Sequence, residues 1–375
     1  MTRTLADDMG QTRLLSLDVL RGITVMGMIL VNATAGLASP QLEVFPLLLH
    51  ARWDGLTIAD VVFPGFLMMM GVAVPMALKG RTGLGGGTGG KIFWRAARLI
   101  LIGFILSNMW WAMDPASSEW RLWGVLQRIG IVYGVCSILF LTLGPKVRLG
   151  LIAAILLLYW PLTLIPALDG LPNDIWERGH NFVASVDRVL TAPHNYVKGP
   201  EGYDPEGLLG HLPAIAHGLI GVAIGEFLLK RPETKSAGKL AIAGAVMLVA
   251  GIAFGFIFPV VKDIWSSSFV LVTCGITTLA LAGLHATIDK PGTNANAVWI
   301  AVPMAFGINA IAAYVWHELL AVMGMPAWGA MTAPYRWLEP VVGSPIAALV
   351  PVIIFIALVW LPMDYLRRKR WIIKV

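Results

Sequence analysis

The sequence predicts an all-α, polytopic membrane protein of about ten transmembrane helices with both termini cytoplasmic, and three observations predict it. Of 375 residues, 57% are apolar and only 13% charged, against roughly 25% charged in an ordinary soluble domain. Runs of about 20 apolar residues, long enough to span about 30 Å of hydrocarbon, recur along the whole chain. Lys and Arg divide nineteen to seven between alternate loops, the bias that sets membrane orientation. Soluble globular, disordered and disulfide-scaffold classes are excluded, because a soluble protein this apolar has too little polar surface to cover its core. The formal charge of +6 is topological and carries no implication of a nucleic-acid partner.

The spans follow in order. The first, 16–38, carries Asp18 and Arg21 near one end and Asn32 near the other, and the second, 57–78, opens with Asp60. The third, 93–112, ends on Asn108, Trp110 and Trp111, and the fourth, 122–143, opens with Gln127 and Arg128. The fifth and sixth are 148–168 and 207–229, the latter holding Glu226 and a Gly221/Gly225 pair. The seventh, 238–260, carries Gly251 and Gly255; such small-residue pairs permit close helix packing, within one chain or between two. The eighth, 264–287, opens with Ser266 and Ser268, the ninth, 298–322, holds Asn309 and His317, and the tenth is 343–363.

The spans define a membrane domain, 16–366, between a cytoplasmic N-terminal segment, 1–15, and a basic cytoplasmic tail, 367–375. The N-terminal segment lacks the pattern of a cleaved signal peptide, so the first span is expected to be retained. The one long outer connection, 169–206, is acidic, and loops of that length are usually functional. The glycine run 83–90 followed by Lys91 resembles a phosphate loop, but Ile92 stands where Ser or Thr is needed and no strand precedes it, so it reads as a flexible cytoplasmic linker.

Ionisable side chains inside a bilayer cost at least about 2.5 kcal/mol each, which makes each a functional candidate. They are Asp18, Arg21, Asp60, Arg128, Glu226 and His317. Given the span directions, Asn32, Asp60, Gln127, Arg128, Ser266, Ser268 and His317 all fall in the outer half, beside His50 and Arg52 of an outer loop and Glu206 at the mouth of the sixth span. One depth shared by many spans points to a common cavity. Asp18 and Arg21, three residues apart on one helical face, can pair near the inner surface. His50 is suited to accept a proton from an amine at ordinary pH. His180, His194 and His285 have no such context and read as surface residues. His211 and His217 flank a loop-to-helix junction without metal-ligand spacing, so no metal is expected. Cys136 and Cys274 lie in apolar runs and read as packing residues. Trp53, Trp110, Trp111, Trp120 and Trp123 read as an outer aromatic belt, with sugar stacking as the alternative.

Six ordered blocks then resemble the membrane N-acetyltransferases related to heparan-α-glucosaminide N-acetyltransferase. They are RLLSLDVLRGITVMGMILVN at 13–32, HARWDGLTIADVVFPGFLMMMG at 50–71, GVLQRIGIVYG at 124–134, YDPEGLLG at 203–210, IWSSSFVL at 264–271 and NAIAAYVWHE at 309–318. The resemblance implies acetyl transfer from cytoplasmic acetyl-CoA, the co-substrate, to the amine of a glucosamine-type sugar on the outer side of a bacterial inner membrane. It suggests a homodimer. It puts the catalytic roles on His50 and Asn32. It makes Asp18, Arg21, Gln127, Arg128, Glu206, Ser266 and Ser268 binding or site-shaping residues, and Asp60 and His317 join them as ionisable groups at the depth of the common cavity. Relative to the animal enzyme, the chain is expected to lack the extra luminal domain and the additional span that precedes this region.

On this reading His50 removes the acceptor proton, directly or after forming an acetyl-imidazole, while the Asn32 amide donates to the thioester oxygen. The nucleotide end of CoA stays near Arg21 and the basic 79–98 segment, and the pantetheine arm reaches toward the outer cavity. Two other classes fit the composition: an amino-sugar permease, which would also have ten spans and polar residues at mid-depth, and a protein whose polar cluster serves packing only. Acetyl-CoA binding separates the first reading from both.

Overall fold

The structure is a computed structural model that describes residues 14–38, 42–231, 234–323 and 328–373. Arg3 and Arg13, in the expected N-terminal segment, and Lys374 of the tail lie outside the described residues. Among the described residues every regular element is helical, with isolated β-bridges only at Asp54–Val261 and Val197–Tyr203.

Helix α1 (Leu15–Leu37) leads through a loop and the short turn Pro46–Leu48 to α2 (Ile58–Ala77), α3 (Thr88–Ser107), α4 (Val125–Thr142) and α5 (Pro145–Thr163). The long connection contains a helix of its own, α6 (Phe182–Thr191), started by Asn181, whose side chain accepts the Ala184 N–H at 2.9 Å. Then come α7 (His211–Lys230), α8 (Ala237–Gly255), α9 (Ser267–Ile288), α10 (Val298–Ile308), α11 (Ala310–Met323), α12 (Trp328–Val342) and α13 (Ser344–Arg368). Among the described residues eight helices are long and apolar enough to cross a membrane, nine if α10 and α11 count as one span bent by 82°. The sequence-based count of ten differs at two places. Helix α3, which carries Lys91, Arg95 and Arg98, is not among the eight. The ninth span is broken at Asn309, whose amide group donates to the Trp371 carbonyl at 3.0 Å and accepts the Ile373 N–H at 2.8 Å.

The third span also lies earlier than its apolar run suggests. Thr88 to Gly90 of the expected linker join α3, and the helix stops at Asn108, which bonds the backbone of Phe104 and Arg121 instead of continuing the ladder. Helices α2, α7 and α9 are mostly buried and form the centre, whereas α5 and α8 leave most of their surface exposed, as helices facing lipid do. Glycine sets two of the closest crossings. A Cβ on Gly22 would stand 1.7 Å from the Pro303 carbonyl oxygen, and one on Gly307 would stand 1.8 Å from that of Asp18, so α1 and α10 meet backbone to backbone. Gly221 and Gly225 lie against the Met68 and Val72 carbonyls of α2. This small-residue pair therefore packs helices within the chain.

Candidate active site

The loop ahead of α2 is built around one carboxylate. Asp60 is the third residue of α2 and closes a capping box with Thr57, its Oδ2 accepting the N–H groups of Thr57 at 3.1 Å and Ala51 at 3.0 Å. Its Oδ1 lies 2.7 Å from His50 Nδ1. The Thr57 hydroxyl donates to the Leu49 carbonyl at 2.8 Å, which fixes the chain on the other side of the histidine. The His50 side chain is 41% exposed and that of Asp60 1%. A carboxylate accepting from Nδ1–H leaves Nε2 with a free lone pair, so the imidazole presents a base to the open side.

The same loop is anchored to the segment entering α9. Asp54 accepts the Val260 N–H at 2.9 Å and Gly55 N–H donates to the Val260 carbonyl at 3.1 Å, with Gly55 at φ +116°, where residues bearing a Cβ are strained. Trp53, expected in an aromatic belt, is instead core: its indole N–H donates to the Ile175 carbonyl at 2.9 Å and its ring meets Tyr203 edge-on. Its neighbours decide this, because the long connection folds back over it. Trp110 is exposed, whereas Trp120 stacks on His194 with centroids 3.7 Å apart.

Beside the dyad lies a charged cluster. Arg121 forms a fork onto Asp204 through Nε and Nη2, at 2.8 and 2.6 Å, and Nη2 also donates to Glu206. Asp204 also receives the Glu206 N–H at 2.9 Å, and Asp187 from α6 accepts the N–H groups of Asp204 at 3.3 Å and Leu208 at 3.1 Å, so one tight loop presents both acids. Burial pushes Glu206 upward, but the charges of Arg121, Arg128 and Lys262 overcome it and hold its carboxyl below the usual range. Arg121 is desolvated too, yet Asp204 and Glu206 raise its pKa. Among the described residues Asp187 has no cation in direct contact, and burial pushes it up to about 7 despite those two backbone donors. Lys262 is within electrostatic reach of Asp60, Glu206 and Asp263, which ties the cluster to the dyad.

The remaining expected site residues lie in several different places. Arg128 is fully buried with its guanidinium 4.8 Å from the Trp265 ring and Nη2 3.4 Å from the Gly207 carbonyl oxygen, so it joins the cluster from below. Asn32 lies on α1 toward the end against which the Pro46–Leu48 turn packs, exposed and with no side-chain hydrogen bond among the described residues. His317 is buried against Phe355 and Tyr314, and Tyr314 is within electrostatic reach of Glu206 and Arg121. Gln127 wedges α3 against α4 beside Gly103 and Gly124.

Ser266 and Ser268 are engaged in the backbone: Ser266 accepts the Val261 and Phe269 N–H groups, and both hydroxyls donate to the Pro259 carbonyl. Asp18 and Arg21 pair with each other at the opposite end of the bundle, where Arg21 Nε donates to the Gly307 carbonyl at 2.8 Å. They border a cavity of about 230 Å³ lined also by Leu14, Leu17, Met69 and Met76. Glu226 pairs with Arg148 at 2.6 Å.

Sequence reasoning missed Arg121, Asp187 and Lys262, which it counted only as loop charges. The sole local signal was Asp204 standing in the same block as Glu206. Its surface assignment of His285 is corrected: the ring is fully buried, between Asp289 at 2.7 Å and the Ser236 hydroxyl at 3.1 Å, because α9 turns that face into the bundle. His180 sits between Glu177 and Glu201. Cys136 and Cys274 are buried free thiols. Among the described residues no group of three His, Cys, Asp or Glu side chains is placed to hold a metal ion.

Comparisons with known proteins agree on one family. A family model described as the catalytic region of heparan-alpha-glucosaminide N-acetyltransferase matches residues 13–255. The human protein named heparan-alpha-glucosaminide N-acetyltransferase is 29% identical over 363 residues, covering 82% of this chain and 53% of its own length. Its mouse counterpart is 27% identical over 364 residues, covering 82% and 54%. The chain thus spans about half the length of the curated relatives it matches.

Proposed function

This chain belongs to the heparan-alpha-glucosaminide N-acetyltransferase family, and on that premise we propose that it is a membrane acetyltransferase moving the acetyl group of acetyl-CoA to the amine of a glucosamine-type sugar. The observation that carries the reading is the His50–Asp60 pair, a base with its Nδ1 fixed by a buried carboxylate and its other nitrogen on the open side. An amine attacks a thioester only as the free base. Its nitrogen forms the C–N bond as the C–S bond breaks. His50 Nε2 takes the proton the nitrogen loses and passes it to the departing thiolate, while the proton the ammonium shed on becoming a free amine goes to solvent. Asp60 keeps Nε2 available and stabilises the imidazolium that forms. The free Asn32 amide is the donor for the developing oxyanion. A covalent route, in which Nε2 itself accepts the acetyl group, uses the same residues.

The residues at the opposite end suit an anionic donor. Arg21 has N–H groups beyond those given to Asp18 and Gly307, and the apolar walls of its cavity fit an extended chain. In the orientation expected from the charge bias, that end is cytoplasmic, where CoA is supplied, and the acceptor meets His50 on the periplasmic side of an inner membrane. The test is release of free thiol from acetyl-CoA by the purified protein, with and without glucosamine. Acceptor-dependent release in the wild type, lowered by about 10² or more in His50→Ala and in Asn32→Ala, supports the reading. Full turnover in the folded His50 variant would sink it.

A further inference from the structure

One turn of α2 inward from Asp60, the Phe63 ring meets the Trp265 ring edge-on at 5.1 Å. Three neighbouring residues have buried polar atoms without partners among the described residues: Arg128 Nε and Nη1, the guanidinium lying 4.8 Å from the Trp265 ring, Trp265 Nε1, and Ser267 Oγ two residues further along the chain. Arg128, Trp265 and Ser267 are fully buried. His217, 5.9 Å from Trp265, turns its ring toward the Pro64 carbonyl without a well-formed hydrogen bond. Native interiors pair nearly all such atoms, because each unpaired donor costs stability. Trp265 is also held at φ +54°, a left-handed conformation rare for a bulky side chain. Guanidinium and indole N–H groups only donate, and a hydroxyl can donate as well. A group that completes this set therefore brings oxygen acceptors in an uncharged or anionic chain.

We propose that Arg128, Trp265 and Ser267 form a donor-rich chamber beneath the His50–Asp60 pair that binds the amide carbonyl oxygens in the arm of the acyl donor and sets the depth at which its thioester meets His50. This rests on the acetyl-transfer reading above. Neither Trp265 nor Ser267 has a role in proton transfer; both position the donor.

The test uses the full chain in detergent and two probes: coenzyme A, and adenosine 3′,5′-bisphosphate, which has the nucleotide end without the arm. Calorimetric affinities are measured for the wild type, Ser267→Ala and Trp265→Phe, the alanine variant being the one least able to disturb the fold. Each variant is expected to bind coenzyme A about five- to tenfold more weakly, the loss of one hydrogen bond, and the bisphosphate as well as the wild type does. Ligand-free Ser267→Ala is expected to melt no lower than the wild type, since it removes an unpaired buried hydroxyl. Equal losses for both probes, or coenzyme A affinity unchanged in both variants, would overturn the chamber while leaving acetyl transfer by the wild type intact. A wild type that neither binds coenzyme A nor releases thiol overturns the transferase reading and the chamber with it.

Discussion

Asp60 holds His50 with one carboxylate oxygen, 2.7 Å from Nδ1, while its other oxygen receives the backbone N–H groups of Ala51 and Thr57. A single side chain therefore starts helix α2, shapes the loop before it and fixes the orientation of the imidazole. Asp60→Asn keeps the size of the side chain but removes the charge that stabilises an imidazolium. Thiol release is expected to fall by about 10² or more, with a melting temperature lowered by the weakened cap, worth about 0.5–2 kcal/mol. A variant that loses stability but keeps full turnover would show that Asp60 serves the helix alone.

The Arg121 fork neutralises two acids at once. Arg121→Gln leaves Asp204 and Glu206 facing each other with their strongest cation gone, and removing one partner of a buried pair costs about 3–5 kcal/mol. Thermal unfolding in detergent is expected to show that loss, and adding Asp204→Asn to the variant should restore part of it. No recovery in the double variant would mean that the fork contributes packing and not charge compensation.

Asp187 makes stability depend on pH in an unusual direction for a carboxyl. Its pKa in the folded protein, about 7, lies above the ordinary 3.8. The folded state therefore favours the protonated form. The contribution is fully present below about pH 4 and is lost as pH rises through about 7. Asp187→Asn is expected to flatten the decline in melting temperature between pH 5 and pH 8. An unchanged decline would place the titration on another group.

Helices α1 and α10 touch through backbone at Gly22 and Gly307. No side-chain rotation can relieve a Cβ 1.7 or 1.8 Å from a carbonyl oxygen. Gly307→Ala is expected to separate the two helices and lower the yield of folded protein, at a cost of about 1–3 kcal/mol or more. Gly36→Ala, where no atom stands within 4 Å of an added Cβ, is the control and should behave as the wild type. Equal behaviour of the two variants in size-exclusion and melting experiments would contradict the close crossing.

Part of the site was legible because its residues advertise themselves locally. A carboxylate such as Asp60, or a guanidinium such as Arg128, stands out in an apolar run, since hydrocarbon tolerates neither without reason. Ser266 and Ser268 stood out equally and turned out to satisfy backbone groups at the start of α9. Sequence shows that a polar group is present, but its partner is contributed by another element. Arg121, Asp187 and Lys262 were illegible for the complementary reason: in a polar loop a charge is unremarked until the fold brings an acid from 83 residues away against it.

What the sequence determined by itself was the membrane class, the position of most spans and the six blocks that mark the family, all properties of local composition and order. Apolar runs specify helices in lipid because every backbone group must be paired within the segment. Tertiary structure alone decided that the ninth span breaks at Asn309, that Trp53 is core, and that His285 is buried. It also decided that Asp60 serves His50, while Glu206 serves Arg121. Those outcomes depend on which helix faces which, and that choice is made by glycine contacts and hydrogen bonds between segments far apart in the chain, which no local window of sequence contains.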